Sequence, residues 1–230
     1  MKKTMVGSMS EWSGVLRDLF RQINDGSLRF EQLQAVVEHR NPFEKPDYIT
    51  DWRNFYKEVF GIDVDLSKVK IPEKKKGFNR LIIVAKGMTS QKLYDKCKEL
   101  FPSWKWTGRD LDEIGDPDRS ERSPEKKSYA IWIRDRVEAD RELKNLSAND
   151  LGERKNSGIT LEERLLFELK YFKETGKHLD IKNITLCSGS RCSDGSVPFV
   201  GWSGCYGRLG VDWCYPGSAG SFLRSREAVS

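Results

Sequence analysis

The sequence has no long apolar run. No stretch reaches the ~18 consecutive apolar residues that a membrane-spanning helix needs. After Lys2 and Lys3, polar residues from Ser8 onward interrupt the apolar middle that a secretion signal requires. We therefore expect no transmembrane span and a cytoplasmic location, with surface display through a partner protein as the open alternative.

Histidines are scarce, and the cysteines are odd in number. Five cysteines without a secretion signal indicate free thiols in a reducing compartment. Of the two histidines, His39 and His178, the second lies just after a predicted helix end, where we expect it to cap that helix. No carboxylate pair and no spacing of a nucleophile and a base stands out. The sequence therefore predicts no catalytic residue, no enzyme and no cofactor.

Positive charge is not concentrated. The net charge is only +5 in 230 residues. The densest basic run, Lys74 to Lys76, precedes Gly77 and is typical of a solvated linker rather than a phosphate-binding track. We expect no nucleic-acid partner.

Hydrophobic periodicity divides the chain into three regions. Residues 1–72 are predicted to form an N-terminal helical region of three helices. Residues 73–124 are predicted to form a small β-α-β segment and a polar loop, with a helix that begins after Thr89. Residues 125–230 form the third region, whose long helix begins after Thr160 in a capping box. Together the three regions predict an α+β fold.

The composition changes abruptly between Leu186 and Leu223. Four of the five cysteines lie there, glycine and serine are frequent, and Lys, Glu, Gln and Met are absent. Such a segment would ordinarily be a flexible linker. Regular apolar residues within it instead predict two strands joined by residues 204–207, because side chains in a strand alternate between faces with a period of two.

The two predicted strands have faces of different chemistry. The inner face carries the bulky apolar residues Val200, Trp202, Leu209, Val211 and Trp213. The outer face carries a mixed set, Phe199, Gly201, Ser203, Gly210, Asp212 and Cys214. Glycine inside a strand costs conformational entropy and packs against nothing. We infer that residue identity on the outer face is not chosen for folding.

At these residues the sequence resembles the variable proteins of diversity-generating retroelements. The resemblance is close over about 125–230 and rests on the segments and residues 129–136, 175–180, 186–191, Val197, Pro198, Trp202, Leu209, Val211, Trp213, Pro216 and 223–226. In that family a reverse transcriptase copies a template repeat with errors at adenines, and the product replaces the end of the gene. The resemblance implies a C-terminal C-type lectin-like domain over 125–230, with a variable region at about 194–222.

The resemblance also implies which residues bind the ligand. The predicted variable, ligand-binding positions are Asp194, Ser196, Phe199, Gly201, Ser203, Cys205, Tyr206, Gly210, Asp212, Cys214, Tyr215, Ser218, Gly220 and Phe222. Templates of this kind place asparagine codons at variable positions, and changes in their first two bases cannot give Trp, Met, Lys, Gln or Glu. None of the predicted positions carries one of these five residues. Trp202 and Trp213, which the mechanism cannot produce, fall on the inner face.

Aromatic side chains are the expected anchors for the ligand. Phe199, Tyr206, Tyr215 and Phe222, surrounded by small polar residues, resemble the composition of antibody paratopes. A dozen exposed positions could cover about 800 Å² on one partner, which suits a macromolecule, and a protein best. The N-terminal helices are expected to support this domain or to dock a cellular partner.

The remaining residues of the motif are expected to be scaffold. The inner face should pack against the helix that begins after Thr160. Three arginines, Arg191, Arg224 and Arg226, are expected to fix loops by donating hydrogen bonds to carbonyl groups.

Two other functions stay open for the C-terminal region. The first is a zinc site, although Cys187 and Cys192 are five residues apart and Cys205 and Cys214 nine, wider than the usual C-x2-4-C spacing. The second is a cysteine-dependent enzyme of the formylglycine-generating type, which is a relative of the lectin fold. Calcium is not expected, because no paired carboxylate and asparagine motif follows Trp202. The sequence therefore predicts no metal ligand, with the zinc site as the alternative.

Overall fold

A computed structural model describes residues 7–28, 30–39, 41 and 47–230. Residues 1–6, on which the expectation about a secretion signal partly rests, lie outside this range. Contacts divide the chain into two compact units, Met1–Asp47 and Tyr48–Ser230. Within the described ranges, no helix combines the length and the apolar composition needed to cross a bilayer.

The described residues of the first unit include two helices, α1 (Met9–Asn24) and α2 (Phe30–Val37). Helix α1 begins at a capping box, in which the Ser8 hydroxyl accepts from the Glu11 amide and the Glu11 carboxylate accepts from the Ser8 amide. None of the residues of α1 is buried, and its apolar side chains Leu16 and Phe20 are 48 and 62 % exposed.

The second unit combines helices, two sheets and one short 3-10 helix. In chain order its elements are α3 (Tyr48–Phe60), β1 (Arg80–Val84), α4 (Ser90–Leu100), β2 (Ser103–Lys105), α5 (Leu111–Ile114), β3 (Tyr129–Ile133), the 3-10 helix (Arg141–Leu143), α6 (Ala148–Glu153), α7 (Leu161–Thr175), β4 (Ile184–Leu186), β5 (Val197–Ser203), β6 (Arg208–Cys214) and β7 (Leu223–Ser225). This mixture confirms the predicted α+β class.

The larger sheet has five strands in the order β2-β6-β5-β4-β7. Strands β5 and β6 form an antiparallel hairpin, and β4 pairs antiparallel with β5. The two edge strands, β2 and β7, are parallel to their neighbours β6 and β4. Strands β1 and β3 form a separate antiparallel pair.

Helix α7 lies at the centre of the unit. It contacts α4, β1 and β5, and nine of its residues are buried. The helix begins at the predicted Thr160 capping box and ends at Gly176, whose φ of 67° is the left-handed conformation that favours glycine. Its side chains therefore join the hairpin β5–β6 to the rest of the core.

The regional boundaries differ from the sequence-based prediction. Helix α3, expected to belong to a region 1–72, buries Trp52, Phe55 and Tyr56 in the core of the second unit. Strand β1, in the predicted segment 73–124, pairs with β3 across the boundary predicted at 124/125. Because β1 and β2 lie in different sheets, the predicted β-α-β order is present without a parallel β-α-β unit.

Candidate ligand-binding face

The inner face of the hairpin β5–β6 is built into the core. Val200, Leu209 and Val211 have no exposed surface. Trp202 is half-buried and packs against the same core. Trp213 is half-buried too, but it belongs to neither hydrophobic core, which differs from its predicted role as scaffold packed on α7. Its ring makes an edge-on contact with the exposed Tyr215, with centroids 5.4 Å apart. The inner face thus holds the hairpin in one position.

The outer face is open near the turn of the hairpin. Gly201 and Gly210 lie opposite each other in the strand pair. A Cβ atom added at Gly210 would meet nothing closer than the Gly201 carbonyl oxygen at 3.8 Å, an ordinary contact. At Gly201 it would lie 3.4 Å from the Asn183 oxygen and from Ile184, so less room is present there.

The other end of the outer face is covered. Leu143, Ala148 and Leu151 pack on it with Leu186 and Val197, forming a small second core. Phe199, Cys214 and Leu223 are partly buried against this core. The expectation that Phe199 and Cys214 point into solvent therefore differs from the structure. The sequence pattern alone did not reveal the segment 143–151 that covers them.

The most exposed predicted positions lie in the loops that flank the strands. Tyr206, Tyr215 and Phe222 are 73, 71 and 66 % exposed. The side chains of Asp194 and Cys205 are exposed too. The remaining half-buried positions are Ser203, Asp212, Ser218 and Gly220. Ser196 is buried, and its hydroxyl donates to Asp194 Oδ1 at 2.6 Å, so it holds the loop rather than facing a ligand.

Two residues that the sequence analysis missed belong to the open part of the outer face. Trp104 on β2 pairs with Gly210, which places its side chain on this face, and it is 39 % exposed. The guanidinium of Arg208 lies 5.3 Å from the Trp104 ring and 4.9 Å from the Tyr206 ring. These are cation–π distances. Periodicity could not find Trp104, because only the parallel pairing of β2 with β6 brings it there.

The three scaffold arginines have different surroundings. Arg191 Nη1 donates to the Ser188 and Ser190 carbonyls at 2.8 Å. Arg226 is 1 % exposed and donates to the carbonyls of Arg136 and Val137 at 2.8 Å. Arg224 Nε is buried with no hydrogen-bond partner within the described part of the chain. Two of the three side chains therefore fix loops by the expected type of bond.

A buried charge network lies behind the inner face. Asp180, with no exposed surface, accepts from Arg164 Nε at 2.9 Å and from Arg226 Nη2 at 2.7 Å. Thr185 and the Ala139 amide donate to the same carboxylate at 2.5 and 2.8 Å. Arg164 also pairs with Glu168 at 2.8 Å. Two arginines thus balance two carboxylates, and the backbone amide of Trp202 on β5 donates to the Asp180 carbonyl at 3.1 Å.

His178 does not cap the end of α7 in the way that its position in the sequence predicts. Its Nδ1 lies 2.9 Å from Glu168 Oε1, and its ring stacks on Trp202. Gly176 supplies the cap of the helix instead, with its amide bonded to the Phe172 carbonyl. His178 therefore connects the charge network to the inner face of β5.

The cysteines of the C-terminal region differ in their exposure. Cys187 and Cys192 are buried, Cys214 is half-buried and Cys205 is exposed. Burial raises the pKa of the Cys187, Cys192 and Cys214 thiols, which keeps them protonated and weakly nucleophilic. Among the described residues, no three His, Cys, Asp or Glu side chains lie close enough together to hold a metal ion.

Comparisons with protein-family models, with curated proteins and with solved structures find no match to this chain. The resemblance to retroelement variable proteins therefore rests on the residues that carry it in the sequence. The function that it implies is a proposal, argued from the outer face.

Proposed function

We propose that this chain displays a hypervariable surface that a retroelement reverse transcriptase diversifies, and that the surface binds a macromolecular target, most suitably a protein. The observation that carries the proposal is the contrast between the two faces of one hairpin. Val200, Leu209 and Val211 have no exposed surface, whereas the facing glycines Gly201 and Gly210 leave the outer face open beside the turn of the hairpin. A protein whose outer residues change while its fold persists needs this division.

The packing behind the hairpin supports a rigid display. Trp202 is held by its stack on His178, by its backbone bond to Asp180 and by its contact with Phe101, whose ring centroid lies 6.2 Å away. Asp180 is fixed in turn by Arg164 and Arg226. A binding surface that is ordered before its ligand arrives loses less conformational entropy on binding. The constant residues of the scaffold therefore hold the strands in place, whichever residues occupy the variable positions.

The chemistry of the exposed positions suits a protein target. Tyr206, Tyr215 and Phe222 are large aromatic residues beside serine and glycine, a composition that adapts to many partners. On the proposed mechanism, Trp104 is a constant part of the surface because it lies outside 194–222, and the Arg208 cation beside it fits a carboxylate or an aromatic ring of the target. The positions are spread over a broad face rather than gathered in one deep cavity, which favours a large ligand.

Two sequencing experiments test the proposal, one on the genome that encodes this chain and one on the gene in many cells. We expect a reverse transcriptase gene and a near-copy of the segment that encodes residues 194–222, with adenines at the first two codon positions of the predicted variable residues. Deep sequencing of the gene from many cells should then find substitutions at these codons and none at Val200, Trp202, Val211 or Trp213. Substitutions spread evenly over both faces, or a genome with neither the template nor the reverse transcriptase, would contradict the proposal.

A further inference from the structure

A cavity of about 70 Å³ lies on the second unit, apart from the outer face. It is lined by the start of α4, helix α5 and the loop that follows it as far as residue 125, the start of α7 and residues 190–192. Of the region 194–222, only Pro198 lines it. Its ligand is therefore separate from the target proposed for the variable surface.

The walls of the cavity are largely apolar. Trp106, Leu111, Ile114 and Leu161 line it together with Pro198. Leu111 and Leu161 belong to the buried core, which fixes the walls against α4 and α7. A mainly apolar cavity with a few converging polar groups is the usual form of a small-ligand site.

One carboxylate in the cavity has no cation beside it. Ser90 Oγ donates to Glu162 Oε1 at 2.7 Å, and among the described residues Glu162 takes part in no ion pair. The neighbouring Glu163 is different, because Arg122 Nε and Nη2 bind its two oxygens at 2.6 and 3.1 Å. Burial raises the pKa of Glu162, as expected for a carboxyl group that lacks a compensating charge.

The other charged groups that line the cavity favour a positively charged ligand. Asp112, Asp116 and Glu125 line it in addition to Glu162. Of its two lining cations, Arg122 is ion-paired with Glu163, whereas Arg191 keeps its charge and donates from Nη1 to the carbonyls of residues 188 and 190. Arg119, which does not line the cavity, lies 3.9 Å from Asp116. Four carboxylates therefore face two arginines in the lining, one of which is already paired, so the excess of negative charge favours a cation.

We propose that this cavity binds a primary ammonium group carried on a short apolar chain, with the ammonium at Glu162 and the chain against Trp106 and Leu161. The ammonium supplies the counter-charge that the Glu162 carboxylate lacks and can donate three hydrogen bonds. An aromatic ring such as that of Trp106 adds a favourable surface for the cation. The ammonium can come from a free small amine or from a lysine side chain of a peptide, and the two sources share this chemistry.

The test uses the full chain and four probes in NMR titrations. Propylammonium chloride is compared with propan-1-ol, a neutral molecule of similar size, and an acetylated and amidated Gly-Lys-Gly peptide is compared with its Gly-Gln-Gly analogue. We expect propylammonium to shift the resonances of Trp106 and Glu162 at concentrations where propan-1-ol does not. Binding of the lysine peptide as well as propylammonium indicates a protein-borne source, and binding of propylammonium alone indicates a free amine.

Variants locate the site. Glu162→Gln should weaken propylammonium binding by about tenfold or more, because it removes the charge while keeping the shape. The matched control is Glu153→Gln on α6, an exposed glutamate that does not line the cavity, and it should leave binding unchanged. Ile114→Trp, which fills the cavity from the loop side, should abolish binding without touching the carboxylate. Equal binding of propylammonium and propan-1-ol, or unchanged binding in Glu162→Gln, overturns the proposal.

Discussion

His178 and Trp202 stack face to face, with ring centroids 3.4 Å apart and planes inclined by 6°. Phe172 stacks on the same imidazole ring at 5.0 Å, and Glu168 binds its Nδ1. Trp202 lies on the inner face of β5, so this stack holds the strand whose other face is open. The contact joins the helix α7 to the proposed binding surface through two aromatic rings.

Removing one ring of this stack should destabilise the fold. We expect Trp202→Ala to lower the free energy of unfolding by about 3 kcal/mol, the lower end for a large aromatic residue, because Trp202 is only half-buried. Tyr206→Ala, at a position 73 % exposed, should change it by less than ~0.5 kcal/mol. Urea unfolding followed by circular dichroism measures both. Similar losses in the two variants would show that the faces of the hairpin do not differ as described.

The buried charge network should be sensitive to the loss of a single charge. Asp180→Asn keeps the shape and tolerates the φ of 53° at this position, since asparagine adopts the left-handed conformation readily. It leaves Arg164 and Arg226 with one carboxylate fewer and should cost about 3–5 kcal/mol. Asp63→Asn, which breaks the exposed pair with Arg53, is the matched control and should cost at most ~1 kcal/mol. Denaturant midpoints that move equally would contradict the role given to the network.

Two glycines in the C-terminal region should respond oppositely to alanine. At Gly189 an added Cβ would overlap the Gly158 carbonyl oxygen and lie 3.1 Å from the Ile159 oxygen, so the backbone must move. Gly189→Ala should therefore cost about 2 kcal/mol or more. Gly210→Ala enters open space on the outer face and should be neutral or stabilise by up to ~1 kcal/mol, because glycine in a strand is entropically unfavourable. Thermal unfolding of the two variants beside the parent chain decides this, and a loss at Gly210 like that at Gly189 would remove the argument for an unconstrained outer face.

The carboxyl group of Glu162 should make stability depend on pH in a direction unusual for an acid. Burial raises its pKa above that of the unfolded chain, so the folded state binds this proton more tightly. This contribution to stability is present below the unfolded pKa and is lost as the pH rises through the folded value. The side chain of Glu162→Gln stays neutral at every pH, so this variant should have a higher melting temperature than the parent chain at pH 8 and nearly the same one near pH 4. For a chain of this size, each ~1 kcal/mol of stability corresponds to a shift of about 2–4 °C in the melting temperature. A gain that is the same at both pH values would mean that the group does not titrate as described.

Local signals in the sequence predict the helices and the hairpin well. Thr89 and Thr160 cap the helices that they were expected to cap, and Gly176 ends α7 in the left-handed conformation. The alternation of apolar residues identifies the inner face, because burial of Val200 and Val211 follows directly from a period of two. These features depend only on residues close together in the chain.

Contacts between distant segments could not be predicted in the same way. The pairing of β1 with β3, the position of Trp104 beside Gly210 and the packing of Leu143 over the outer face join segments that share no local pattern. The predicted role of His178 was wrong for a related reason. Its contact with Glu168 forms only when the loop after α7 folds back on that helix. Tertiary packing determines these features, and the local pattern of a single sequence does not show which distant segments will pack together.

Residues that follow the region 194–222 complete the core. Arg226 is buried and binds Asp180, and Val229 pairs with Trp132 through two backbone bonds of 2.8 and 2.9 Å. Under the proposed function, a rewritten segment that shifted the reading frame or introduced a stop codon would leave Asp180 without Arg226 and Trp132 without Val229. On the proposed function, folding would therefore select among rewritten copies of the segment, because only in-frame copies would supply Arg226 and Val229 to the core.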